Sequence, residues 1–347
     1  GARAAPQVRE AVAAAVQNEP QSYTHAKGNA SLREGLVNYY RQRHKAIVDP
    51  EDILVTNGSS AGFILAFLAG FERGAKIAVT RPGYPAYLNI LSSLGFEPVE
   101  IELSADRSWR LDANDVRKAH DKQPFAGLLL ASPANPTGAM IEREELEEII
   151  KTCRDLGVRF ISDEIYHGIG YDRRAVSALE VTDDVYVVNS FSKYFSMTGW
   201  RVGWMVVPED HVRRVERLAQ NMFICAPHAS QRLALHAMDC AAELDGNLAV
   251  YSDNRALMLD GLKAAGFDKF APPDGAFYIY VDVSDFTDDA RQFAAEILDQ
   301  AGVAVTPGLD FDPVDGHRWL RLSYARSTED ISEGLTRLAA FMAGRNA

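Results

Sequence analysis

The sequence predicts an α/β protein. A large domain carries a mainly parallel, roughly seven-stranded sheet flanked by helices, and a smaller α+β domain comes after it. Three observations predict this. Short, near-continuous β-branched or apolar runs recur, as in strands covered on both faces. Segments of helical periodicity lie between several of them, and such alternation builds parallel sheets. Beyond about Gln231 the pattern changes to a long helix and then to a compact mixture of helices and strands.

The first element is a helix: Ser31-Leu-Arg-Glu34 has the spacing of a capping box and opens it to about Arg43. Strands are expected at Ile53–Thr56, Lys76–Thr80, Pro98–Leu103, Gly127–Ala131, Arg159–Ser162, Val185–Asn189 and Gly203–Val207. Ala61–Phe71 is the longest apolar run, at eleven residues. A membrane span needs about 20, so this is a buried helix. Arg143–Leu156 places Leu146, Ile149, Ile150 and Cys153 at helical spacing and stops at Gly157. Ala276–Asp282 and Trp319–Tyr324 are the strands expected in the smaller domain. The divisions read from this are an N-terminal segment 1–22 packing with the small domain, a large domain 23–230, an inter-domain helix region 231–262 and a small domain 263–347.

Composition narrows the function. Of 347 residues, 47% are hydrophobic, enough for a sizeable core. The net charge of −12 argues against nucleic acid or an anionic membrane as the main partner. It leaves room for a small anion held by a few local cations. The three cysteines, Cys153, Cys225 and Cys240, are widely spaced and form no CxxC pair, so no disulfide framework, zinc or other metal site is indicated. The chain opens at Gly1 with no signal-like segment, which gives the expectation of a cytoplasmic protein whose N-terminal piece is missing.

In open α/β sheets, ligands bind beyond the carboxyl ends of the strands, and polar residues collect there. Asn57-Gly-Ser-Ser60 comes after the first strand and opens an apolar helix, where N–H groups and the hydroxyls of Ser59 and Ser60 suit a phosphate or form an ordinary cap. Gly58-Ser-Ser-Ala-Gly62 also fits the nucleophile elbow G-x-S-x-G, with Ser60 as nucleophile and a late His such as His317. Asp163 ends an apolar strand, where a carboxylate is costly unless a cation pairs with it. It is either a cap, a structural ion pair or the partner of a protonated ring nitrogen. Tyr166, three residues on, can reach the same ligand. Lys193, in Ser190-Phe-Ser-Lys193, lies just past a buried strand and 30 residues after Asp163, the position of a candidate Schiff-base lysine. Arg201 lies eight residues later and could clamp a phosphate. Pro133-Ala-Asn-Pro-Thr-Gly138 is a turn in which Pro136 restrains Asn135. Arg321, inside an apolar strand, needs an anion, and a substrate carboxylate would serve; Arg318 is the alternative, nearer the strand start.

These segments together resemble the class I/II, fold type I aminotransferases, aspartate aminotransferase-like enzymes that use pyridoxal 5'-phosphate. The resemblance runs from Tyr23-Thr-His-Ala-Lys-Gly28 and Leu32-Arg-Glu34 through Asn135-Pro-Thr-Gly138 and Ser162-Asp-Glu-Ile-Tyr166. It continues through Ser190-Phe-Ser-Lys-Tyr-Phe-Ser-Met-Thr-Gly-Trp-Arg201 to Arg321-Leu-Ser-Tyr324. It implies that Lys193 forms the Schiff base and shuttles the proton from the substrate Cα. It implies that Asp163 keeps the pyridine nitrogen protonated, and that Tyr166 and Asn135 bond the ring 3'-oxygen. Tyr84, in Arg81-Pro-Gly-Tyr-Pro-Ala-Tyr87, takes the place of the family's ring-stacking aromatic. Ser59, Ser60, Ser190 and Arg201 hold the phosphate, with Tyr23 reaching across from a second subunit of a homodimer. Arg321 clamps the substrate α-carboxylate, with Asn135 beside it. Arg81–Pro82 and Asn135–Pro136 take the places of the family's cis prolines. Two departures stand out. The family's N-terminal arm has no counterpart here, since Pro6–Ala15 resembles the segment just past that arm. No residue suggests itself as partner for a side-chain carboxylate.

The activity implied is transfer of an α-amino group from an amino acid to a 2-oxo acid in two half-reactions. A carbon–sulfur β-lyase on the same scaffold is the alternative. A serine hydrolase through Ser60 is a distant one. A non-catalytic cofactor-binding regulator would carry a DNA-binding segment, and none is visible. A nicotinamide dehydrogenase is disfavoured because no G-x-G-x-x-G succeeds any expected strand.

Overall fold

A computed structural model describes residues 5–18 and 20–345. The expected N-terminal segment 1–22 and small domain 263–347 therefore lie partly outside the described residues, at 1–4, 19, 346 and 347.

The helices, in chain order, are α1 (Pro6–Asn18), α2 (Ala30–His44), α3 (Gly58–Gly70), α4 (Pro85–Ser93), α5 (Ala113–Lys122), α6 (Arg143–Asp155), α7 (Val212–Met222), α8 (His228–Ala237), α9 (Ala241–Ala264), α10 (Ala290–Ala301) and α11 (Thr328–Arg345). The strands are β1 (Ile53–Thr56), β2 (Lys76–Arg81), β3 (Glu97–Glu102), β4 (Gly127–Ala131), β5 (Arg159–Asp163), β6 (Tyr186–Ser190), β7 (Gly203–Val206), β8 (Tyr278–Asp282), β9 (Thr306–Pro307) and β10 (Trp319–Ser323). The large sheet has seven strands in the order β1-β7-β6-β5-β4-β2-β3. β7 runs antiparallel to both its neighbours, while β6 through β3 are parallel.

The parity of the strands divides the core in two. Leu54, Ile77, Val79, Leu129, Ile161, Val188 and Met205 face α3, α4 and α7. Their alternates Val55, Ala78, Leu128, Leu130, Phe160, Val187 and Trp204 face the other layer, with α2, α5 and α6. That is why the central strands read as near-continuous apolar runs: all but a few residues, such as Lys76, Thr80, Ala131 and Arg159, are buried on one face or the other. The two edges differ. β1 is buried throughout, whereas only Val99 and Ile101 of β3 are buried.

Two local expectations are corrected. The helix after Asn29 does not open on a capping box: Asn29 is the N-cap, its side chain makes no cap bond, and Ser31 lies inside the first turn. The helix expected beyond Gln231 is two helices, α8 and α9, broken at Met238–Cys240. A continuous apolar stripe does not show such a break, because both pieces bury residues on it. Among the described residues no helix is long and apolar enough to cross a membrane.

A second sheet, β8-β10-β9, is antiparallel and docks over the carboxyl ends of the parallel strands. Arg81, at the end of β2, reaches Asp312 at 2.8 Å, and the Gly83 N–H donates to the Phe311 carbonyl at 3.0 Å. On the far side the N–H groups of Asp274 and Gly275 donate to the Gly138 carbonyl at 3.0 and 2.9 Å. The cleft lies between these two seams. α1 packs on α8 through Val8, Val12 and Ala15.

Candidate active site

A cleft of about 290 Å³ opens where β4, β5 and β6 end beneath the second sheet. Nine of the residues singled out in the sequence line it: Ser59, Ser60, Tyr84, Asn135, Asp163, Tyr166, Lys193, Arg201 and Arg321. They come from segments more than 260 residues apart in the chain.

Asp163 is the floor. It ends β5 and is 3% exposed. It accepts hydrogen bonds from the Tyr87 hydroxyl and from the Ile165 N–H at 2.9 Å. Burial raises its pKa to about 6, against the pull of Tyr87, the Ile165 N–H and the Lys193 charge. Among the described residues no cation lies within ion-pair distance of it.

Lys193 stands opposite. Its Nζ lies 5.5 Å from the Tyr166 ring centre and 5.8 Å from that of Phe277. Burial, then the charge of Arg321, holds its pKa below the ordinary lysine value, Asp163 opposing. A larger share of the amine is then free base, the form that attacks a carbonyl.

Arg321, on β10, has its guanidinium between two rings, 4.3 Å from the centre of Tyr278 and 4.6 Å from that of Phe311. One Nη donates to Asn135 Oδ1 at 2.9 Å, the other to Thr306 Oγ1 at 3.3 Å, and Nε is buried without a hydrogen-bond partner. A guanidinium only donates, so the amide oxygen of Asn135 faces it and the NH2 is left to donate elsewhere.

The start of α3 forms the third wall. The Asn57 N-cap side chain makes no cap bond, so the first N–H groups of the helix are open to an anion. Arg201 is anchored by a 2.8 Å bond to the Thr198 carbonyl, and a Cβ on Gly58 would sit 2.6 Å from its Nη2. Gly58, at φ +74°, is therefore the residue that lets this cation lie against the helix start.

Two expected residues are not among those lining the cleft of this chain, Ser190 and Tyr23, the latter expected at a second subunit's site. Ser190 does not line the cleft. Its buried Oγ accepts from the Ser192 N–H at 3.1 Å and lies 2.8 Å from the Ser192 Oγ and 3.1 Å from the Val202 carbonyl, so it abuts Ser192, which lines the cleft. The chain turns immediately after β6, which swings the second serine of the motif inward. Tyr23 is 80% exposed and does not line the cleft of its own chain. The hydrolase constellation is not assembled: His317 is exposed, its Nδ1 lies 3.3 Å from the Val314 carbonyl, and it does not line the cleft. Arg318 pairs with Asp282 instead of entering the cleft.

Sequence reasoning misses Tyr87 and Tyr278. Tyr87 is the last residue of the Tyr84 motif, three positions on and one turn along α4, and that spacing is the signal that could have found it. Tyr278 begins β8 and carries no motif. Arg81–Pro82 and Asn135–Pro136 are cis as the resemblance implies, and Ser132–Pro133 is cis as well.

The residues fit pyridoxal phosphate on three counts. A buried carboxylate without a cation suits a protonated ring nitrogen. A lysine of lowered pKa lies across from it. An uncapped helix start with two serines and an arginine suits a phosphate.

Known proteins point the same way. The sequence model described as "Aminotransferase class I and II" matches residues 2–338. A valine–pyruvate aminotransferase of Mycobacterium tuberculosis is 45% identical over 339 residues, 96% of this chain and 87% of that protein. An aminotransferase structure from Mycobacterium tuberculosis superposes with a TM-score of 0.96 at 44% identity, covering 99% of this chain and 90% of the other. Aspartate aminotransferase from Thermus thermophilus, solved with maleate, gives 0.91 at 30% identity, with 98% and 89% covered. The fold is that of the fold type I enzymes, and the chain belongs to the class I and II aminotransferases, a pyridoxal-phosphate-dependent family.

Proposed function

We propose that this aminotransferase carries out both half-reactions in the cleft between Asp163 and Lys193, with donors whose side chains are uncharged. The observation that carries the assignment of roles is the opposed pair itself: a buried carboxylate lacking a cation and a lysine held below its ordinary pKa.

When bound, pyridoxal phosphate supplies an aldehyde that condenses with amines and a protonated ring that accepts the electron pair left by a departing α-proton. Ser59, Ser60, Ser192 and Arg201 hold its phosphate, and Tyr84 presents a ring face. Asp163 holds the proton on the ring nitrogen. Tyr166 and the Asn135 NH2 donate to the ring oxygen. Arg321 would grip the substrate α-carboxylate in the cleft that Lys193 also lines, which keeps the Cα within the reach of that amine. Once displaced by the substrate amine, the Lys193 Nζ would take the α-proton as free base and deliver it to the carbon that carried the cofactor's aldehyde, which is general acid–base work at a tuned pKa.

The substrate class rests on two supports. The relative at 45% identity is named for valine and pyruvate. The cations lining the cleft among the described residues are Lys193, Arg201 and Arg321, and each already has a role. We infer, too, a homodimer in which the exposed Tyr23 completes the phosphate site of the partner, and a division of the chain near 23–230 and 263–347 on either side of the cleft.

The test is a donor panel of valine, alanine and aspartate, each with pyruvate or 2-oxoglutarate. New amino acid formed one for one with the consumed donor, fastest with valine, is expected. Ammonia and pyruvate released from a cysteine conjugate, without transfer, would overturn the transfer reading. Aspartate as the preferred donor would overturn the substrate class.

A further inference from the structure

The hydroxyls of Tyr166 and Tyr278 are 2.9 Å apart, and the two rings meet edge to face at 5.9 Å. Both residues are buried, at 4% and 6% exposure, and both line the cleft. Tyr278 opens β8. In the register Arg321 stands opposite Tyr280 and Ser323 opposite Tyr278, so Arg321 and Tyr278 project from the same face of the small sheet. The Tyr278 ring centre lies 4.3 Å from the Arg321 guanidinium carbon. One side chain thus touches the carboxylate clamp with its ring and Tyr166 with its hydroxyl.

Each phenol has one hydrogen, and only one hydrogen can lie between the two oxygens. If Tyr166 gave its hydrogen to Tyr278, it would have none to donate into the cleft. If Tyr278 gives its own, the Tyr166 hydrogen is free, and accepting a bond strengthens the bond it then donates. The cation over the Tyr278 ring withdraws charge from that phenol and favours it as the donor. Burial raises the pKa of both phenols, so each keeps its hydrogen and the pair shares one neutral hydrogen bond.

We propose that Tyr278 is a positioning residue. Its hydroxyl donates to Tyr166 and aims the Tyr166 hydrogen at the cofactor's ring oxygen, while its ring fixes the plane of Arg321. The proposal rests on the placement of the ring oxygen beside Tyr166 under the proposed function.

The test uses holoenzyme and the pH midpoint of the bound cofactor's absorption band. Donation to the ring oxygen favours its ionised form and lowers that midpoint. Tyr278→Phe keeps the ring and loses the hydroxyl. The midpoint should rise by about half a pH unit, with KM for the amino donor changed less than about twofold, since the ring still faces Arg321. Tyr278→Leu should raise the midpoint equally and KM by about tenfold. Tyr166→Phe should move the midpoint at least as far as Tyr278→Phe, and the double variant no further than Tyr166→Phe alone. Additive shifts, or an unmoved midpoint in Tyr278→Phe while Tyr166→Phe moves it, would overturn the role of Tyr278. An unmoved midpoint in Tyr166→Phe would instead overturn the placement of the ring oxygen. Cofactor absorbance and circular dichroism at 25 °C establish that each variant is folded.

Discussion

The hydroxyl of Tyr87 donates to Oδ2 of Asp163, across 76 positions of sequence. The bond comes from the start of α4 beneath Tyr84 and reaches the end of β5, and it is buried. It satisfies one oxygen of a carboxylate that is expensive to hide, and it opposes the upward pressure of burial on that pKa.

Removing this donor should therefore raise the Asp163 pKa. Tyr87→Phe is expected to move the acid limb of the kcat/KM profile to higher pH and to lower activity by about tenfold near neutrality, the scale of a hydrogen bond to a charged group. The profile between pH 5 and 9 decides; an unmoved acid limb counts against the Tyr87–Asp163 link.

Asp163 itself makes a prediction for the enzyme stripped of cofactor. Its folded pKa, about 6, is above the ordinary 3.8, so the folded chain holds this proton more tightly than the unfolded one. Its contribution to stability is full below 3.8 and is lost as pH rises through about 6. Asp163→Asn apoenzyme should be more stable than the parent at pH 7, by up to ~3 kcal/mol, and no more stable near pH 4. Thermal unfolding of both apoenzymes at the two pH values checks the sign. In the holoenzyme the same substitution should cost most of the activity, because the ring nitrogen loses its counter-charge.

Lys193→Ala should abolish covalent attachment of the cofactor, read as loss of borohydride-fixed cofactor in the mass spectrum. Turnover should fall by at least ~10²–10⁴-fold, the range of a lost acid–base group. Retention of fixed cofactor elsewhere on the chain would reassign the lysine.

Gly58→Ala tests the phosphate wall. The added Cβ would sit 2.6 Å from Arg201 Nη2 at a φ of +74°, so both the arginine and the backbone resist it. Stability should drop by about 1–2 kcal/mol. Affinity for the cofactor should fall by about tenfold or more as Arg201 is displaced. Fluorescence titration of apoenzyme with cofactor measures it, and unchanged affinity would detach Arg201 from the phosphate.

The fold class, every strand but the two-residue β9 to within a residue or two, and most of the cleft were legible in the order of the amino acids. The central strands β4, β5 and β6 are buried on both faces, so each reads as a largely apolar run, and the polar residues at or past its end stand out: Asp163 ending β5, Asn135 past β4, Ser190 ending β6 with Ser192 and Lys193 past it. Which of those residues face one another was settled by packing in three dimensions. Tyr278 carries no local signal and becomes part of the cleft because β8 pairs beside β10, bringing it to Tyr166, 112 positions away. Ser190 and Ser192 are indistinguishable in the motif, and the turn after β6 sets Ser192 at the cleft with the Ser190 hydroxyl 2.8 Å from its own. A pattern records which face of its own element a residue occupies; what lies across the gap depends on how the two sheets dock, through pairs such as Arg81 and Asp312 that lie 231 positions apart.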